Sequence, residues 1–295
     1  MSPVPVSEVV LASCAKLPEG DGDERALPDA LAEVGVSARW APWDDPGVDF
    51  AAADLVIVRS TWDYTDRRDE FLAWCDRAPG LRNPARVVRW NTDKAYLPEL
   101  AAAGVPAVPT ELVAPGVTPA WPDVEFVLKP AVGVGSIGAA RFVPGARDEA
   151  ERHLATLHGA GHTVLVQPYQ SHVDAEGETA LVFFGGIYSH AFTKGAMLTG
   201  SDLDGSGLYV SERLGVAEPE PAFRRVAEDV LDAAAGVLGV PRGELLYARV
   251  DLLRGVDGAP LLLELELTEP SLGFRYADPA APLRFASAVR RQLAG

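Results

Sequence analysis

Short apolar runs alternate with amphipathic stretches through the first third of the chain. Segments 9–12, 38–40 and 54–58 are predicted strands, because each is short, apolar and bounded by polar residues. Segments 25–34 and 67–76 have the spacing of helices. Strands that alternate with helices indicate a small parallel sheet, whose ligands usually lie beyond the carboxyl ends of its strands.

A break in this pattern falls within 81–88, where Asn83 and Pro84 interrupt regular structure. A helix is predicted over 93–103 and ends at Gly104. The remaining predicted elements are strands over 125–129, 139–143, 163–167, 179–184 and 187–193, and helices over 149–157, 222–238 and 283–293. Two domain boundaries are predicted, giving segments 1–88, 89–170 and 171–295.

Two apolar strands near the carboxyl end are interrupted by acidic residues. The dipeptide at 257–258 is Asp-Gly, which favours a tight two-residue hairpin turn. Pairing around that turn places Asp251 opposite Glu264 and Arg249 opposite Glu266. The sequence therefore predicts three carboxylates in one patch.

Because side chains alternate along a strand, Glu264 and Glu266 share one face of the second strand. The other face is predicted to take Leu263, Leu265 and Leu267. Opposed like charges destabilise a sheet, and a divalent cation with oxygen ligands, such as Mg²⁺, would remove the conflict. The alternative is an exposed acidic face with Arg249 as its salt-bridge partner.

A glycine-rich loop at 133–138 has the sequence Gly-Val-Gly-Ser-Ile-Gly. It matches a dinucleotide-binding pattern, but that interpretation requires a helix to begin inside the motif. Segment 139–143 is instead short and strand-like and stops at Pro144. A strand, loop and strand can act as a flap whose backbone N–H groups cover phosphates, and Lys129 at the end of the first strand adds a cation. A plain glycine-rich turn is the alternative.

The composition of the chain disfavours several classes of ligand and site. The 295 residues carry 42 acids against 26 bases, a formal charge of −16, which disfavours binding to nucleic acid or to an anionic membrane. Cys14 and Cys75 are the two cysteines, so neither a disulfide framework nor a cysteine-based zinc site is expected. No apolar stretch approaches the eighteen residues of a membrane span, and a cytoplasmic protein that acts on small molecules is expected.

The order of these motifs resembles that of the ATP-grasp enzymes, over residues 91–274. The resemblance implies an α/β fold in which an amino-terminal parallel domain precedes two subdomains that enclose ATP. It also implies nucleotide and metal ligands. These are Lys94, Lys129, Gly133, Gly135, Ser136 and Gly138 for the phosphates, Gln167, Pro168 and Tyr169 for adenine, and Asp251, Glu264 and Glu266 for Mg²⁺. The last position is most often Asn in the family, so Glu266 is a departure.

A narrower resemblance covers segments 58–64, 89–94, 189–194 and 264–271. They are similar to the ATP-grasp branch that includes O-ureido-serine cyclo-ligase activity in D-cycloserine biosynthesis. This implies that ATP phosphorylates a substrate carboxylate and that a nitrogen then displaces phosphate. Two Mg²⁺ ions, or Mn²⁺ in their place, would assist.

Under this resemblance Arg249 and Lys194 would hold the reacting carboxylate or acyl phosphate, although both cations could simply form salt bridges. The substrate pocket candidates are Ser60, Trp62, Asp63, Tyr64, Glu269 and Ser271. Two other functions stay open: an intermolecular amino-acid or peptide ligase, and a regulatory protein that binds nucleotide without turnover. An amino-acid-like small molecule is the expected partner, and a homodimer is a family-level expectation.

Overall fold

The computed structural model describes residues 7–196, 206–208 and 213–294. The strands are β1 Ser7–Ser13, β2 Val36–Pro42, β3 Leu55–Val58, β4 Leu81–Arg82, β5 Glu111–Val113, β6 Phe126–Pro130, β7 Ala140–Phe142, β8 Val164–Pro168, β9 Glu178–Phe184, β10 Ile187–Lys194, β11 Leu214–Val216, β12 Tyr247–Arg254 and β13 Pro260–Glu266. The helices are α1 Leu27–Glu33, α2 Arg68–Arg77, α3 Ala85–Asn91, α4 Tyr96–Ala102, α5 Arg147–Gly159, α6 Val173–Glu176, α7 Pro221–Leu238 and α8 Ala281–Leu293.

The first sheet confirms the predicted parallel α/β unit. Its strand order is β2-β1-β3-β4, and all three pairings are parallel. β3 is buried along its whole length, which explains why it is continuously apolar. The chain leaves β3 directly into a 3₁₀ helix, Trp62–Asp66, at the carboxyl edge of the sheet.

Two antiparallel sheets follow. One has the order β5-β8-β6-β7 and carries the glycine-rich loop between β6 and β7. The other has the order β11-β10-β9-β12-β13, with β12 at the position between β9 and β13. The predicted strand-loop-strand arrangement around 133–138 is therefore confirmed, and no helix begins inside the motif.

The elements around the first boundary differ in part from the sequence prediction. Asn83 and Pro84 interrupt regular structure between β4 and α3, as predicted, but α3, which begins directly after Pro84, was not predicted. A proline with fixed φ is well suited to the start of a helix, where its missing N–H is not needed. The following helix begins at Tyr96 rather than at residue 93, so Lys94 lies in the preceding turn. Its backbone N–H donates to the carbonyl of Ala131, at 2.9 Å.

The acidic hairpin has the predicted pairing for a different reason. Asp251 faces Glu264 and Arg249 faces Glu266, as predicted. The turn, however, has three residues, 256–258, with Gly258 in the left-handed region at φ +85°. This shifts the pairing by one residue, and a bulge between Asp251 and Leu252 restores it. The two irregularities compensate each other.

The bulge also overturns one side-chain prediction. Leu265 and Leu267 are buried in the core, as predicted. Leu263 does not join them, because the irregular pairing at this point directs it to the wall of the central cavity, whereas Leu262 is fully buried.

One hydrophobic cluster joins the amino-terminal sheet to the rest of the molecule. It contains Leu11 and Ile57 from that sheet together with Phe184 from β9 and Phe285 from α8. The chain segments on the two sides of residue 88 are thus packed through a shared core. Of the helices in the described ranges, none combines the length and the apolar character needed to cross a membrane.

Candidate active site

A cavity of about 410 Å³ lies between the three sheets. Its size is within the range of sites for small molecules. The predicted site residues on its wall are Trp62, Tyr64, Lys94, Lys129, Gly133, Gly135, Ser136, Gln167, Pro168, Tyr169, Lys194, Arg249, Glu264, Glu266, Glu269 and Ser271. Four predicted residues lie off the wall: Ser60, Asp63, Gly138 and Asp251.

The carboxylates of the acidic hairpin form ion pairs with the cations that the sequence had singled out. Lys94 Nζ lies 3.1 Å from Glu264, and Arg249 pairs with Glu266. The predicted salt-bridge role of Arg249 is therefore present in the structure. Both glutamate side chains remain about one quarter exposed to the cavity.

Asp251 is fully buried and held by two cations. Arg249 donates to both of its carboxylate oxygens at 2.8 Å, and Lys194 Nζ lies 3.0 Å away. Lys194 also pairs with Glu178 at 3.2 Å. These contacts come from adjacent strands of one sheet, since β12 pairs with β9 and β9 with β10.

The hairpin carboxylates differ in acidity. Burial, helped by the negative charges of Glu264 and Asp251, raises the pKa of Glu266 to about 8. The guanidinium of Arg249 opposes this rise only in part. Burial works in the same direction on Glu264, but the ammonium groups of Lys94 and Lys129 hold its pKa below the ordinary value. Glu264 is therefore the more readily ionised of the two glutamates.

The phosphate-binding candidates surround the glycine-rich loop. Lys94 Nζ donates to the carbonyl of Gly133 at 2.6 Å, which ties the turn before α4 to the loop. Ser136 has a positive φ of 59°, next to Gly135 at 57°, so the loop is tightly turned. Burial lowers the pKa of Lys129, and within the described ranges no carboxylate lies within ion-pair distance of its ammonium group.

The residues expected to bind adenine lie where β8 ends, at a segment between two sheets that we call the hinge. Gln167 is buried and donates to the hydroxyl of Thr110 at 2.9 Å. The ring of Tyr169 packs 3.6 Å from the guanidinium carbon of Arg141, which itself pairs with Glu125. Arg141 lies on β7, so the strand that follows the glycine-rich loop is linked directly to the hinge.

The substrate candidates divide into two groups. The indole of Trp62 donates to the carbonyl of Glu269 at 2.9 Å, and Tyr64 shares a side-chain hydrogen bond with the Glu269 carboxylate. Asp63, in contrast, accepts from the indole of Trp43 and pairs with Arg67, so it supports the 3₁₀ helix from outside the cavity.

Several wall residues were missed in the sequence. The loop after β1 contributes Asp21 and Asp23, and a second 3₁₀ helix, Phe274–Tyr276, contributes Arg275 and Tyr276. Ser60 supports this loop, because its hydroxyl accepts the N–H of Asp21 at 3.2 Å. This loop follows the carboxyl end of a parallel strand, as 59–64 does. The rule that ligands lie beyond the carboxyl ends of parallel strands could therefore have indicated it as well.

A buried arginine joins the loops on this side of the cavity. Arg59 is 1% exposed, donates to both oxygens of Glu24 and also donates to the carbonyl of Pro270. Its guanidinium lies 4.8 Å from the ring centre of Tyr247. Arg59 thus connects the amino-terminal domain to the segment that carries Glu269.

The donor set at the hairpin suits Mg²⁺ only in part. Glu264 and Glu266 present carboxylates to the cavity, and Mg²⁺ typically takes one or two protein carboxylates and completes its shell with phosphates and water. Asp251 is engaged by Arg249 and Lys194. Consistent with this, no group of three or more metal-binding side chains is assembled within the described part of the chain.

Comparisons with known proteins identify relatives of this chain. A family model described as the N-terminal domain of D-cycloserine synthetase DcsG matches residues 9–88. The cycloserine biosynthesis protein DcsG of Streptomyces lavendulae is 40% identical, and the match covers 92% of this chain and 94% of that protein.

Solved structures show the same relation. The crystal structure of D-cycloserine synthetase DcsG superposes with a TM-score of 0.86 at 37% identity, covering 97% of this chain and all of that one. The ATP-grasp ligase PsnB, solved with Mg and ADP and a variant of its minimal precursor, has a TM-score of 0.59 at 18% identity, covering 98% and 99% of the two chains. At 18% identity, the likeness to PsnB shows a shared fold only.

Proposed function

Since this chain belongs to the D-cycloserine synthetase (DcsG) family of ATP-grasp ligases, we propose that it closes the ring of D-cycloserine from O-ureido-D-serine. It is an ATP-dependent ligase that forms a carbon–nitrogen bond, and the resemblance seen in its sequence is confirmed. The observation that carries the substrate proposal is the 40% identity to a cycloserine biosynthesis protein along almost the whole chain.

The proposed reaction begins with transfer of the γ-phosphoryl group of ATP to the substrate carboxylate. This gives an acyl phosphate and ADP. Lys94, Lys129 and the backbone amides of 133–137 would position the transferred group, because these residues line the cavity. Gln167, Pro168 and Tyr169 would hold the adenine.

Bound Mg²⁺ would neutralise charge on the phosphates. Glu264 and Glu266 would hold it, and two ions are proposed, with Mn²⁺ able to replace them. Asp251 would reach a metal ion only by exchanging its contacts with Arg249 and Lys194. Those two cations would then be released toward the acyl phosphate, which is the role proposed for them.

Ring closure would follow within one molecule. The ureido nitrogen bonded to oxygen attacks the acyl carbon, the carbon–oxygen bond to phosphate breaks, and the nitrogen loses its proton. A five-membered ring results, and water then removes the carbamoyl group as carbon dioxide and ammonia. Trp62, Tyr64, Glu269 and Ser271 would enclose the substrate, because all four line the cavity and both Trp62 and Tyr64 contact Glu269.

The test combines purified protein, ATP, Mg²⁺ and O-ureido-D-serine, and follows ADP and cycloserine together by mass spectrometry. We expect the two products in equal amounts without any added amine. ADP formation that depends on a second amine would identify an intermolecular ligase instead. O-Ureido-L-serine serves as the matched control, and we expect it to react more slowly.

A further inference from the structure

This inference rests on the proposed function and concerns how the substrate is recognised. We propose that Asp21 and Glu269 together bind the α-ammonium group of the substrate. The enzyme is then specific for carboxylic acids that carry a free α-amine. Neither ATP nor a metal ion is the ligand of this pair.

The assignment follows from the state of each acid on the cavity wall. Among the residues that the structure describes, six carboxylates line it: Asp21, Asp23, Glu178, Glu264, Glu266 and Glu269. Glu178, Glu264 and Glu266 each pair with a lysine or arginine. Asp23 accepts the backbone N–H groups of Phe274 and Arg275, at 2.8 and 3.0 Å, so both of its oxygens hold the 3₁₀ helix in place.

Glu269 is a buried carboxylate on the cavity wall. Its residue is 8% exposed, it shares a hydrogen bond with Tyr64, and no lysine or arginine of the described ranges lies within 4 Å of it. Burial raises the pKa of Glu269 to about 7. A charge buried without a partner is costly, and a substrate cation would supply that partner.

Asp21 is a half-buried carboxylate on another loop of the cavity wall. Its Oδ1 accepts the N–H of Asp23 at 3.0 Å, and its side chain shares a hydrogen bond with Ser271. Within the described residues it has no ion pair, and burial, followed by repulsion from Asp23, raises its pKa. Asp21 and Glu269 thus belong to one hydrogen-bonded wall, because Ser271 follows Glu269 by two residues.

The position of this pair fits an α-amino acid. Ser271 contacts Asp21 through its side chain and accepts from Arg249 through its carbonyl, at 3.0 Å. The carboxylate of Asp21 and the guanidinium of Arg249 therefore both contact Ser271. The ammonium and carboxylate of an amino acid are attached to one carbon, so they need such closely spaced opposite charges. A protonated amine also has no lone pair, which leaves the ureido nitrogen as the nucleophile.

The test compares O-ureido-D-serine with 3-(ureidooxy)propanoate, the same molecule without its amine. We expect the enzyme to prefer the amine by about 100-fold or more in kcat/KM for ADP formation. Asp21→Asn and Glu269→Gln are each expected to reduce that preference by roughly 10-fold or more, mainly through KM, with ATP affinity unchanged. Glu19→Gln, at an exposed position of the same loop and outside the cavity wall, is the matched control, and its preference for the amine should stay as in the parent enzyme.

Equal use of both compounds by the parent enzyme would overturn the inference, as would variants that slow both compounds equally. If neither compound gives a ring, the proposed function fails, and the inference is then decided by calorimetry. D-Serine and 3-hydroxypropanoate are titrated into protein loaded with Mg²⁺ and a non-hydrolysable ATP analogue. Binding of D-serine that is lost in Glu269→Gln supports amine recognition. Equal binding of the two acids refutes it.

Discussion

The two ends of the central cavity differ in charge and in origin. The nucleotide end has lysines from two neighbouring chain segments and the glycine-rich loop between β6 and β7. The substrate end has Asp21, Trp62, Tyr64 and Glu269, which come from three loops that are far apart in sequence. A nucleotide site can thus be built from local motifs, whereas the substrate site depends on how distant loops are held together.

Replacing Arg59 should give the largest effect, because Arg59 connects the loops that form the substrate end. Arg59→Met would leave Glu24 buried without a counter-charge, so we expect a loss of about 3–5 kcal/mol in the free energy of unfolding. Urea unfolding followed by circular dichroism measures it.

The double variant Arg59→Met with Glu24→Leu controls for the lost side chain. Because both charges are gone, we expect it to recover most of the stability. It should still show a raised KM for the amino-acid substrate, since the bond to the carbonyl of Pro270 is missing. A double variant as unstable as the single one would contradict the role assigned to the ion pair.

Glu264 lies where the two ends meet. Glu264→Gln keeps the shape of the side chain but removes its charge, and we expect kcat for ADP formation to fall about 100- to 1,000-fold. Nucleotide affinity, measured by calorimetry, should fall much less, because Lys94 and Lys129 remain. Glu33→Gln, at an exposed position on α1, is the control. Undiminished ADP production in Glu264→Gln would refute the metal assignment.

Tyr169 tests whether the nucleotide end can be altered alone. Tyr169→Ala removes the ring that packs on Arg141, a contact worth about 1 kcal/mol. We expect KM for ATP to rise roughly fivefold on that basis, with KM for the amino-acid substrate unchanged. Tyr169→Phe keeps the ring and loses the bond to Asp174, so it should have a smaller effect. Equal rises in both KM values would mean that the two ends are not separable.

His190 gives the smallest effect and one that depends on pH. It is buried, donates to the carbonyl of Leu272 at 2.7 Å, and burial lowers its pKa below 6.5. Below pH 6.5 this histidine binds a proton more readily in the unfolded chain than in the folded protein. The contribution of His190 to the free energy of unfolding is therefore lost as the pH falls. The slope is at most about 1.4 kcal/mol per pH unit. Urea unfolding between pH 6.5 and 5 measures this slope, and His190→Gln should remove the contribution of His190 to it. An identical slope in the parent protein and the variant would contradict the lowered pKa of His190.

The acidic hairpin shows what the sequence could and could not predict. The pairing of Asp251 with Glu264 was predicted correctly, because alternation and an acidic interruption of apolar strands are visible in one dimension. The turn length was wrong, and the bulge that offsets it leaves no clear signal in composition. Leu263 was assigned to the wrong face for the same reason.

The substrate end was only partly predictable. Trp62 and Tyr64 follow a buried parallel strand, so their position at the cavity edge could be inferred. Asp63 lies between them in sequence but is drawn away by Trp43 and Arg67, which no local pattern indicates. Asp21 was missed because an acidic loop resembles an ordinary surface turn until its burial is known.

Apart from Lys129, the cations on the described part of the cavity wall are already paired with acids. Lys94 with Glu264, Lys194 with Asp251 and Glu178, and Arg249 with Glu266 leave little uncompensated charge on that wall. Binding of ATP with Mg²⁺ would therefore be an exchange of partners, in which phosphates replace carboxylates around the cations and the metal replaces cations around the carboxylates. An exchange of this kind transfers little net charge, so it allows a chain with a formal charge of −16 to take up a polyanion and makes the uptake only weakly sensitive to salt.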